Sequence, residues 1–207
     1  MKNTYTRSTK LSLKFSNKQK KEELSEILDE YTSLLQKFVN YFWSQDLTKL
    51  PKFCDSKTYK LFDSILGSYL RQAAGKQALG IVKGTFKKQS KRIFVYNNLL
   101  KEGKFKKAKK LKAIIDQTNV SCPIVDNVEI ELGGNPVVFR FEDSANCFDS
   151  WLYVSLSQTL LNKSYLPVKK TKHFNKMIRK GGKQATGCRI SKNYVTLTFE
   201  FEKTENV

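Results

Sequence analysis

The segment YVTLTFEFEKTENV, residues 194–207, begins with the side-chain period of two that is typical of a β-strand with one buried face. Its apolar positions are Val195, Leu197, Phe199 and Phe201, and hydroxyl-bearing or charged side chains stand between them. A strand of this kind needs hydrogen-bonding partners along its edges. The fold therefore depends on which other segments of the chain can pair with it.

A second alternating segment, KLSLKF at residues 10–15, lies near the other end of the chain, with Leu11, Leu13 and Phe15 on one face. About a hundred residues with helical periodicity separate it from the later strand candidates, which all follow Cys122. Because a lone strand needs a partner, we expect it to pair with those later strands. The helical block is then an insertion into a small β-barrel, since closing a barrel removes exposed strand edges.

Several helices are expected in the inserted block. The first should span roughly residues 18–44, with Ser16 as its N-cap in a capping box. A shorter helix is expected near residues 55–67, another carries an apolar stripe from about Leu70, and the helices that follow break at Gly103. The helix that begins near Leu70 has small residues that indicate a close approach by another element, namely Ala73, Ala74, Gly75, Ala78 and Gly80.

The segments after the helical block alternate with a period of two. PIVDNVEIEL and VVFRFED predict a β-hairpin around the turn at Gly133–Pro136, and a last hairpin turns near Lys192 into the closing strand. A short helix, HFNKMIRK, is expected to end at Gly181 and Gly182, where glycine suits a C-terminal cap.

These patterns predict an α+β fold in two parts. Residues 1–16 and 122–207 form the small β-barrel, and residues 17–121 form the helical lobe inserted between its first and second strands. With 207 residues the chain is long enough to bury a full hydrophobic core without disulfides or structural metals.

The net charge is unusual for a chain of this size, with 38 Lys and Arg against 19 Asp and Glu, or +19, and an isoelectric point near 9.7. Twelve basic residues and one acid, Glu102, fall between Lys83 and Lys112, and ten basic residues and no acid fall between Lys163 and Lys192. Such one-sided clusters repel themselves unless an anion is bound, so we favour a polyanionic partner over a merely solvated surface.

From these two stretches we predict a nucleic-acid-binding surface made of basic side chains, with one tyrosine and one histidine among them. On the helical lobe its residues are Lys83, Lys87, Lys88, Lys91, Arg92, Tyr96, Lys104, Lys106 and Lys107. On the barrel its residues are Lys169, Lys170, Lys172, His173, Arg179, Lys180 and Lys183.

Signatures of catalysis and of cofactor binding are missing from the sequence. There is no phosphate-binding glycine loop and no nucleophile elbow, and His173 among lysines is more typical of a phosphate contact than of a general base. The cysteines Cys54, Cys122, Cys147 and Cys188 have no C-x-x-C spacing. We expect no metal, no cofactor and no catalytic residues, and therefore a binding module.

The expected compartment is the cytoplasm, because four separately placed thiols suit a reducing environment. The first ten residues, MKNTYTRSTK, lack the apolar core of a signal peptide. No apolar run approaches the roughly 18 residues that a membrane span needs, so we expect no membrane partner.

Several segments resemble the N-terminal half of TnpB-like proteins, the transposon-encoded RNA-guided nucleases related to type V CRISPR effectors. They are LDEYTSLLQKFVNYFW, SYLRQAAGKQALGIVKG, ANCFDSWLYVSL, YLPVKKTKHFNKMIRKGG and GCRISKNYVTLTFEFEK. The resemblance implies a wedge domain, which is an OB-like β-barrel, interrupted by a helical recognition lobe. It also implies that both parts grip a guide-type structured RNA and the RNA–DNA heteroduplex.

In that family the last wedge strand leads into a RuvC-type nuclease domain that carries three catalytic carboxylates, and this sequence shows no counterparts of them. The resemblance therefore implies a chain that is not an enzyme by itself. It would be a subunit or fragment of an RNA-guided endonuclease that works with a separate RuvC-type chain, or a repurposed binding module.

Three functions remain open from the sequence. The first is binding of structured RNA or RNA–DNA duplex through the phosphate backbone. The second is a duplex DNA-binding transposase fragment or repressor that places a lobe helix in the major groove, and the third is a protein-interaction scaffold that mimics half an effector. Lysine far outnumbers arginine, so bidentate readout of guanine is little represented and the first function is favoured.

Overall fold

The computed structural model describes residues 4–117, 121–133, 139–143, 148 and 150–202. These residues form a mixed helix and sheet structure, so the α+β class is confirmed. Its elements are β1 (Thr4–Ser12), α1 (Lys18–Trp43), α2 (Ser68–Lys101), α3 (Phe105–Gln117), β2 (Ile130–Leu132), β3 (Phe139–Asp143), β4 (Ser150–Val154), β5 (Ser164–Val168), α4 (Lys172–Arg179), β6 (Lys183–Ile190) and β7 (Tyr194–Glu202).

Strand β1 pairs antiparallel with β7 along its whole length, with Leu11 opposite Val195. The four-stranded sheet has the order β1-β7-β6-β2, and all its neighbours are antiparallel. The partner of the isolated first strand is therefore β7, the last strand along the described chain. The expectation that β1 pairs with the later strands is confirmed. Leu11, Val195, Leu197 and Phe199 are buried on one face of this sheet.

A second sheet contains β3, β4 and β5 in antiparallel order. Its inward side chains belong to the same hydrophobic cluster as those of the first sheet, and they are Leu152, Val154, Leu166 and Val168. The described strands thus form two sheets over one core, and a closed barrel is not shown. The division of the chain into residues 1–16 with 122–207 and the lobe 17–121 stays a prediction.

The hairpin predicted between β2 and β3 is wrong, because β2 pairs with β6 and β3 pairs with β4. Its predicted turn at residues 134–136 lies outside the described residues. Strand β2 approaches β6 closely at Gly187, where an added Cβ would lie 2.7 Å from the carbonyl oxygen of Leu132. A long-range pairing that depends on such a close approach leaves no trace in the alternating pattern of either strand.

Helix α1 begins at Lys18, as predicted, but its N-cap is one residue later than expected. Its N-cap is Asn17, whose side-chain oxygen accepts a hydrogen bond from the backbone N–H of Lys20 at 2.9 Å, whereas Ser16 is buried before it. The apolar stripe of α1 faces the core as expected. Its buried residues are Leu24, Ile27, Leu28, Tyr31, Leu34, Leu35, Phe38, Val39 and Phe42.

The short helix predicted over residues 55–67 is reduced to a single 3-10 turn, Thr58–Lys60. Asp55 stabilises this turn by accepting from the backbone N–H of Thr58 at 2.7 Å. Leu61 and Ile65 are exposed while Phe62 packs against Phe38, so the segment buries only part of its apolar side chains and gains little from helix formation. At Leu66 the chain is extended and forms a bridge with Ser157.

Helix α2 joins two predicted helices into one element of 34 residues. Its buried residues all lie in the first half, between Leu70 and Val82. The predicted close approach occurs at Gly75, where a Cβ would lie 2.8 Å from the sulfur of Cys54, whereas Gly80 faces open space. No helix within the described ranges combines the length and hydropathy of a membrane span.

Candidate nucleic-acid interface

The second half of α2 and helix α3 form a helical hairpin that extends beyond the core. The hairpin turns at Gly103, whose φ of 69° is left-handed, and the N–H of Lys104 donates to the carbonyl of Leu99 at 2.9 Å. Between Val82 and the end of α3, Ala108 is the one buried residue. This hairpin carries most of the predicted lobe residues on solvent-exposed positions.

One face of α2 bears a basic stripe, which we define as Lys76, Lys83, Lys87, Lys91 and Lys101. Because these residues are 7, 4, 4 and 10 positions apart, each a sum of three- and four-residue steps, they lie along one side of the helix. The stripe is about 38 Å long at 1.5 Å per residue. Phe94 has the same spacing and is 64% exposed, so a ring stands among the lysines.

Space beside the basic stripe is open. Cβ atoms built on Gly80 and Gly84 would meet no atom within 4 Å beyond the adjacent residues and the backbone of the helix itself. Helix α2 contains eight basic residues and no acid, so no carboxylate of its own helix compensates the stripe. The stripe therefore offers an elongated positive surface that another molecule can approach closely.

Other predicted lobe residues are partly engaged within the protein. The ammonium of Lys83 donates to the backbone carbonyls of Pro51 and Lys52, and that of Lys104 forms an ion pair of 2.7 Å with Glu102. Hydrogen bonding from Lys104 holds the pKa of the Glu102 carboxyl below its usual range, so this acid is charged beside the hairpin turn. These two lysines are weaker candidates for phosphate contacts than Lys87 and Lys91.

Arg92 and Tyr96 lie away from the basic stripe and are half-buried. Arg92 donates to the side chain of Gln89 at 3.4 Å, and the ammonium of Lys112 on α3 is 5.9 Å from the centre of the Tyr96 ring. Tyr96 therefore contributes to the contact between the two helices of the hairpin, whereas the bond of Arg92 lies within α2. Lys88, Lys106 and Lys107 are exposed, as predicted for binding residues.

The basic residues of the sheet part gather around α4. Its N-cap is Thr171, whose hydroxyl accepts from the N–H of Phe174 at 3.1 Å, and Phe174 and Met177 pack into the core. The helix ends as predicted at Gly181, with a left-handed φ of 75°. The side chains on its outer side and at its end are exposed, and these are Lys172, Lys176, Arg179 and Lys180.

Of the remaining predicted residues, His173 lies within this helix, and Lys169, Lys170 and Lys183 flank it. The ammonium of Lys169 lies 5.2 Å from the ring centre of Phe15, and that of Lys170 lies 5.8 Å from the ring centre of Phe174. His173 is exposed, with its Nδ1 2.9 Å from the hydroxyl of Thr9. Lys183 is within 3.9 Å of the Glu202 carboxylate. The structure thus groups around one short helix the residues that were predicted for the barrel.

A groove that the sequence analysis missed joins α2 to the four-stranded sheet. It is a cavity of about 390 Å³ between the first half of α2 and the outer face of the sheet. Lys76 of the basic stripe lines it together with Arg189, Thr196 and Thr198. Arg189 also forms an ion pair of 3.0 Å with Glu131. Lys76 lies seven residues, or two helical turns, before Lys83. This spacing was the signal in the sequence that could have revealed that the basic stripe extends to the groove.

The described cysteines do not form a metal site. Burial raises the pKa of Cys54 and of Cys188, so both are held as neutral thiols, and Cys147 lies outside the described residues. Among the residues that the structure describes, no group of three or more His, Cys, Asp or Glu side chains is placed to hold a metal ion.

No protein-family model matches the chain, and no curated protein matches it. The resemblance to TnpB-like proteins therefore stays a prediction from the quoted segments, and the function is inferred from the surfaces described above.

Proposed function

We propose that the chain is a nucleic-acid-binding module that holds structured RNA, or an RNA–DNA heteroduplex, mainly by its phosphate backbone. The observation that carries this proposal is the basic stripe of α2, on a helix that has eight basic residues and no acid. Two of its lysines, Lys87 and Lys91, are exposed about 6 Å apart along the helix axis, a spacing suited to neighbouring phosphates. A bound polyanion would relieve the repulsion within the stripe.

Several features favour backbone recognition over base readout. Lysine ammonium groups are compact charges on flexible stems and suit phosphates, whereas the bidentate guanine contact needs arginine. Only Arg71 and Arg92 occur in α2, and neither belongs to the stripe. Duplex RNA and RNA–DNA hybrids are recognised largely through the shape and backbone of the A-form helix.

The finer architecture is also a proposal. We infer that the two sheets build an OB-like wedge domain and that the helices form its recognition-type lobe, as the resemblance to TnpB-like proteins implies. The pairing of β1 with β7 across the intervening helices supports this arrangement. A cytoplasmic location, a guide-type RNA and a separate RuvC-type chain as partner belong to the same proposal.

The test compares two charge-matched triple variants. Lys87, Lys91 and Lys101 on the stripe are changed to Glu, and in the control Lys18, Lys49 and Lys57 are changed to Glu. The control lysines are exposed and lie outside α2 and α3, and two of them are ion-paired, with Glu22 and Asp46. Binding of a labelled hairpin RNA is followed by fluorescence anisotropy across a KCl series.

The parent chain should show a slope of log K against log salt of about −0.7 to −0.9 for each phosphate contacted. The stripe variant should bind about 100-fold more weakly, whereas the control should lose far less, although both variants have the same net charge. Equal losses in both variants, or affinity that hardly changes with salt, would contradict the proposal. Tighter binding of duplex DNA than of RNA would favour a transposase fragment or repressor.

We also propose that the chain alone does not cleave nucleic acid. Two-metal cleavage requires carboxylates that converge on a pair of cations, and the basic surfaces offer few. Labelled RNA, duplex DNA and heteroduplex should stay intact with the purified chain in Mg²⁺ or Mn²⁺. Cutting that depends on the metal and follows the protein through purification would show that the chain is itself a nuclease.

A further inference from the structure

The outer face of the three-stranded sheet carries aromatic side chains that neither basic surface includes. Leu152 and Val154 of β4 point into the core, so Trp151 and Tyr153 project from the opposite face. The strand register places Tyr165 of β5 beside Tyr153. We call Phe15, Phe148, Trp151, Tyr153 and Tyr165 the aromatic platform.

The first row of the aromatic platform runs across the three strands. The rings of Tyr153 and Tyr165 are 5.3 Å apart, and the guanidinium of Arg140 lies 3.9 Å above the Tyr153 ring. This stacked cation leaves Tyr153 only 7% exposed, whereas Tyr165 is 36% exposed. Tyr165 therefore presents the accessible ring of this row.

The second row lies alongside the first. Trp151 meets Phe148 edge-on at 5.5 Å, and Phe148 in turn is 5.5 Å from Phe15. Phe15 is 36% exposed, and Trp151 and Phe148 are partly exposed. An aromatic cluster is more often part of a core, but the core of this sheet is on its other face. These rings are partly solvated without being needed to fill the interior.

Positive groups surround the aromatic platform. The ammonium groups of Lys14 and Lys169 lie 4.9 and 5.2 Å from the centre of the Phe15 ring. Lys20 donates to the backbone carbonyl of Tyr165 at 2.6 Å. The neighbouring carboxylate, Glu142, is paired with Arg140 at 2.7 Å. Among the side chains that the structure describes, the charge around the rings is therefore mainly positive and suits a phosphodiester chain.

We propose that the aromatic platform binds unpaired nucleotides of the RNA that the basic surfaces hold, an inference that rests on the proposed function. Bases of any sequence stack on exposed rings, and cations beside the rings contact the connecting phosphates. Paired bases inside a duplex offer no free face, so the aromatic platform selects a loop or a single-stranded end. With Phe15 and Tyr165 as the two most exposed rings, it holds about two bases.

The first experiment uses Trp151 as the reporter. The chain has two tryptophans, so Trp43→Phe leaves Trp151 as the single source of tryptophan fluorescence. This variant is titrated with an unstructured oligouridylate and with a blunt RNA duplex that has the same number of phosphates. The oligouridylate should quench Trp151 and the duplex should not, because only unpaired bases reach the ring. Equal quenching by both, or none by either, would overturn the assignment.

The second experiment compares Tyr165→Ala with Tyr194→Ala. Tyr194 is a matched control because it is 43% exposed on the other sheet, with the ammonium of Lys10 5.8 Å from its ring centre. Tyr165→Ala should weaken oligouridylate binding by about 5- to 100-fold, the effect of losing one base–aromatic stack. Tyr194→Ala should change it less than twofold. Equal effects of the two variants would contradict the aromatic platform.

Failure of this inference is distinguishable from failure of the proposed function. If hairpin RNA still binds with a salt dependence that the stripe variant removes, but oligouridylate does not quench Trp151, only the aromatic platform is excluded. If neither RNA binds, the proposed function falls as well. Quenching by oligothymidylate equal to that by oligouridylate supports stacking on bases without selection for ribose.

Discussion

The two halves of α2 share one continuous helix but have different environments. Between Leu70 and Val82 six residues are buried against neighbouring parts of the core, whereas from Lys83 to Lys101 none is buried. The first half is stabilised by packing, and the second half is an exposed positive surface. The packed first half of α2 therefore holds the exposed second half in a fixed position relative to the core.

The largest expected change in the free energy of unfolding comes from a substitution in the buried half of α2. Leu70→Ala should lower the free energy of unfolding by about 2–5 kcal/mol, because it removes a fully buried side chain and leaves a cavity. Phe94→Ala, in the exposed half, should change it by less than about 0.5 kcal/mol. Urea unfolding measures both. A comparable loss in Phe94→Ala would show that the hairpin belongs to the cooperative core.

An intermediate effect concerns the hydrogen bond from the Tyr31 hydroxyl to the side chain of Gln77 on α2, 2.8 Å long. Burial raises the pKa of Tyr31 above its ordinary value near 10, because the phenolate is poorly solvated inside the core. Above pH 10 the unfolded chain loses this proton and the folded chain keeps it, so stability present at neutral pH declines as pH rises.

Tyr31→Phe should therefore lower the free energy of unfolding by about 1 kcal/mol at neutral pH, because the hydrogen bond is lost. Above pH 10 the free energy of unfolding of this variant should fall less steeply with pH than that of the parent. Thermal unfolding from pH 8 to 11 measures both, and Tyr194→Phe is the control because its ring is exposed. An alkaline transition that is identical in Tyr31→Phe and in the parent would exclude Tyr31 as its cause.

The smallest expected effect comes from two glycines of α2. Gly84→Ala should raise the free energy of unfolding by about 0.5–1 kcal/mol, because alanine favours the helix and its methyl group meets open space. Gly75→Ala should not show this gain, since its methyl group would lie 2.8 Å from the Cys54 sulfur. Equal gains in both variants would show that the close approach at Gly75 yields easily.

The sequence predicted more of the fold than of the functional surface. The alternation in β7, the stripe of α1 and the glycine stop of α4 are local patterns, and each appears where it was expected. Strand β1 (Thr4–Ser12) ends earlier than predicted, so Phe15 lies beyond it and is partly exposed. The helix predicted over residues 55–67 does not form. Its sequence pattern did not reveal that Leu61 and Ile65 would stay exposed. The pairing of β2 with β6 was missed for a related reason, since alternation does not specify a partner.

For the functional surface, composition located the basic stretches but not their arrangement. Side-chain charge is fixed by residue type, so the excess of lysine on the lobe and around α4 was determined by the sequence alone. The continuity of α2 decided that Lys76 and Lys101 lie on one face, and local contacts decided that Lys83 and Lys104 are partly engaged. Only the tertiary structure brings the rings of the aromatic platform together, because Phe15, Trp151 and Tyr165 lie on separate segments of the sequence. Periodicity reports which way a side chain points within its own element, whereas proximity between elements depends on how they pack.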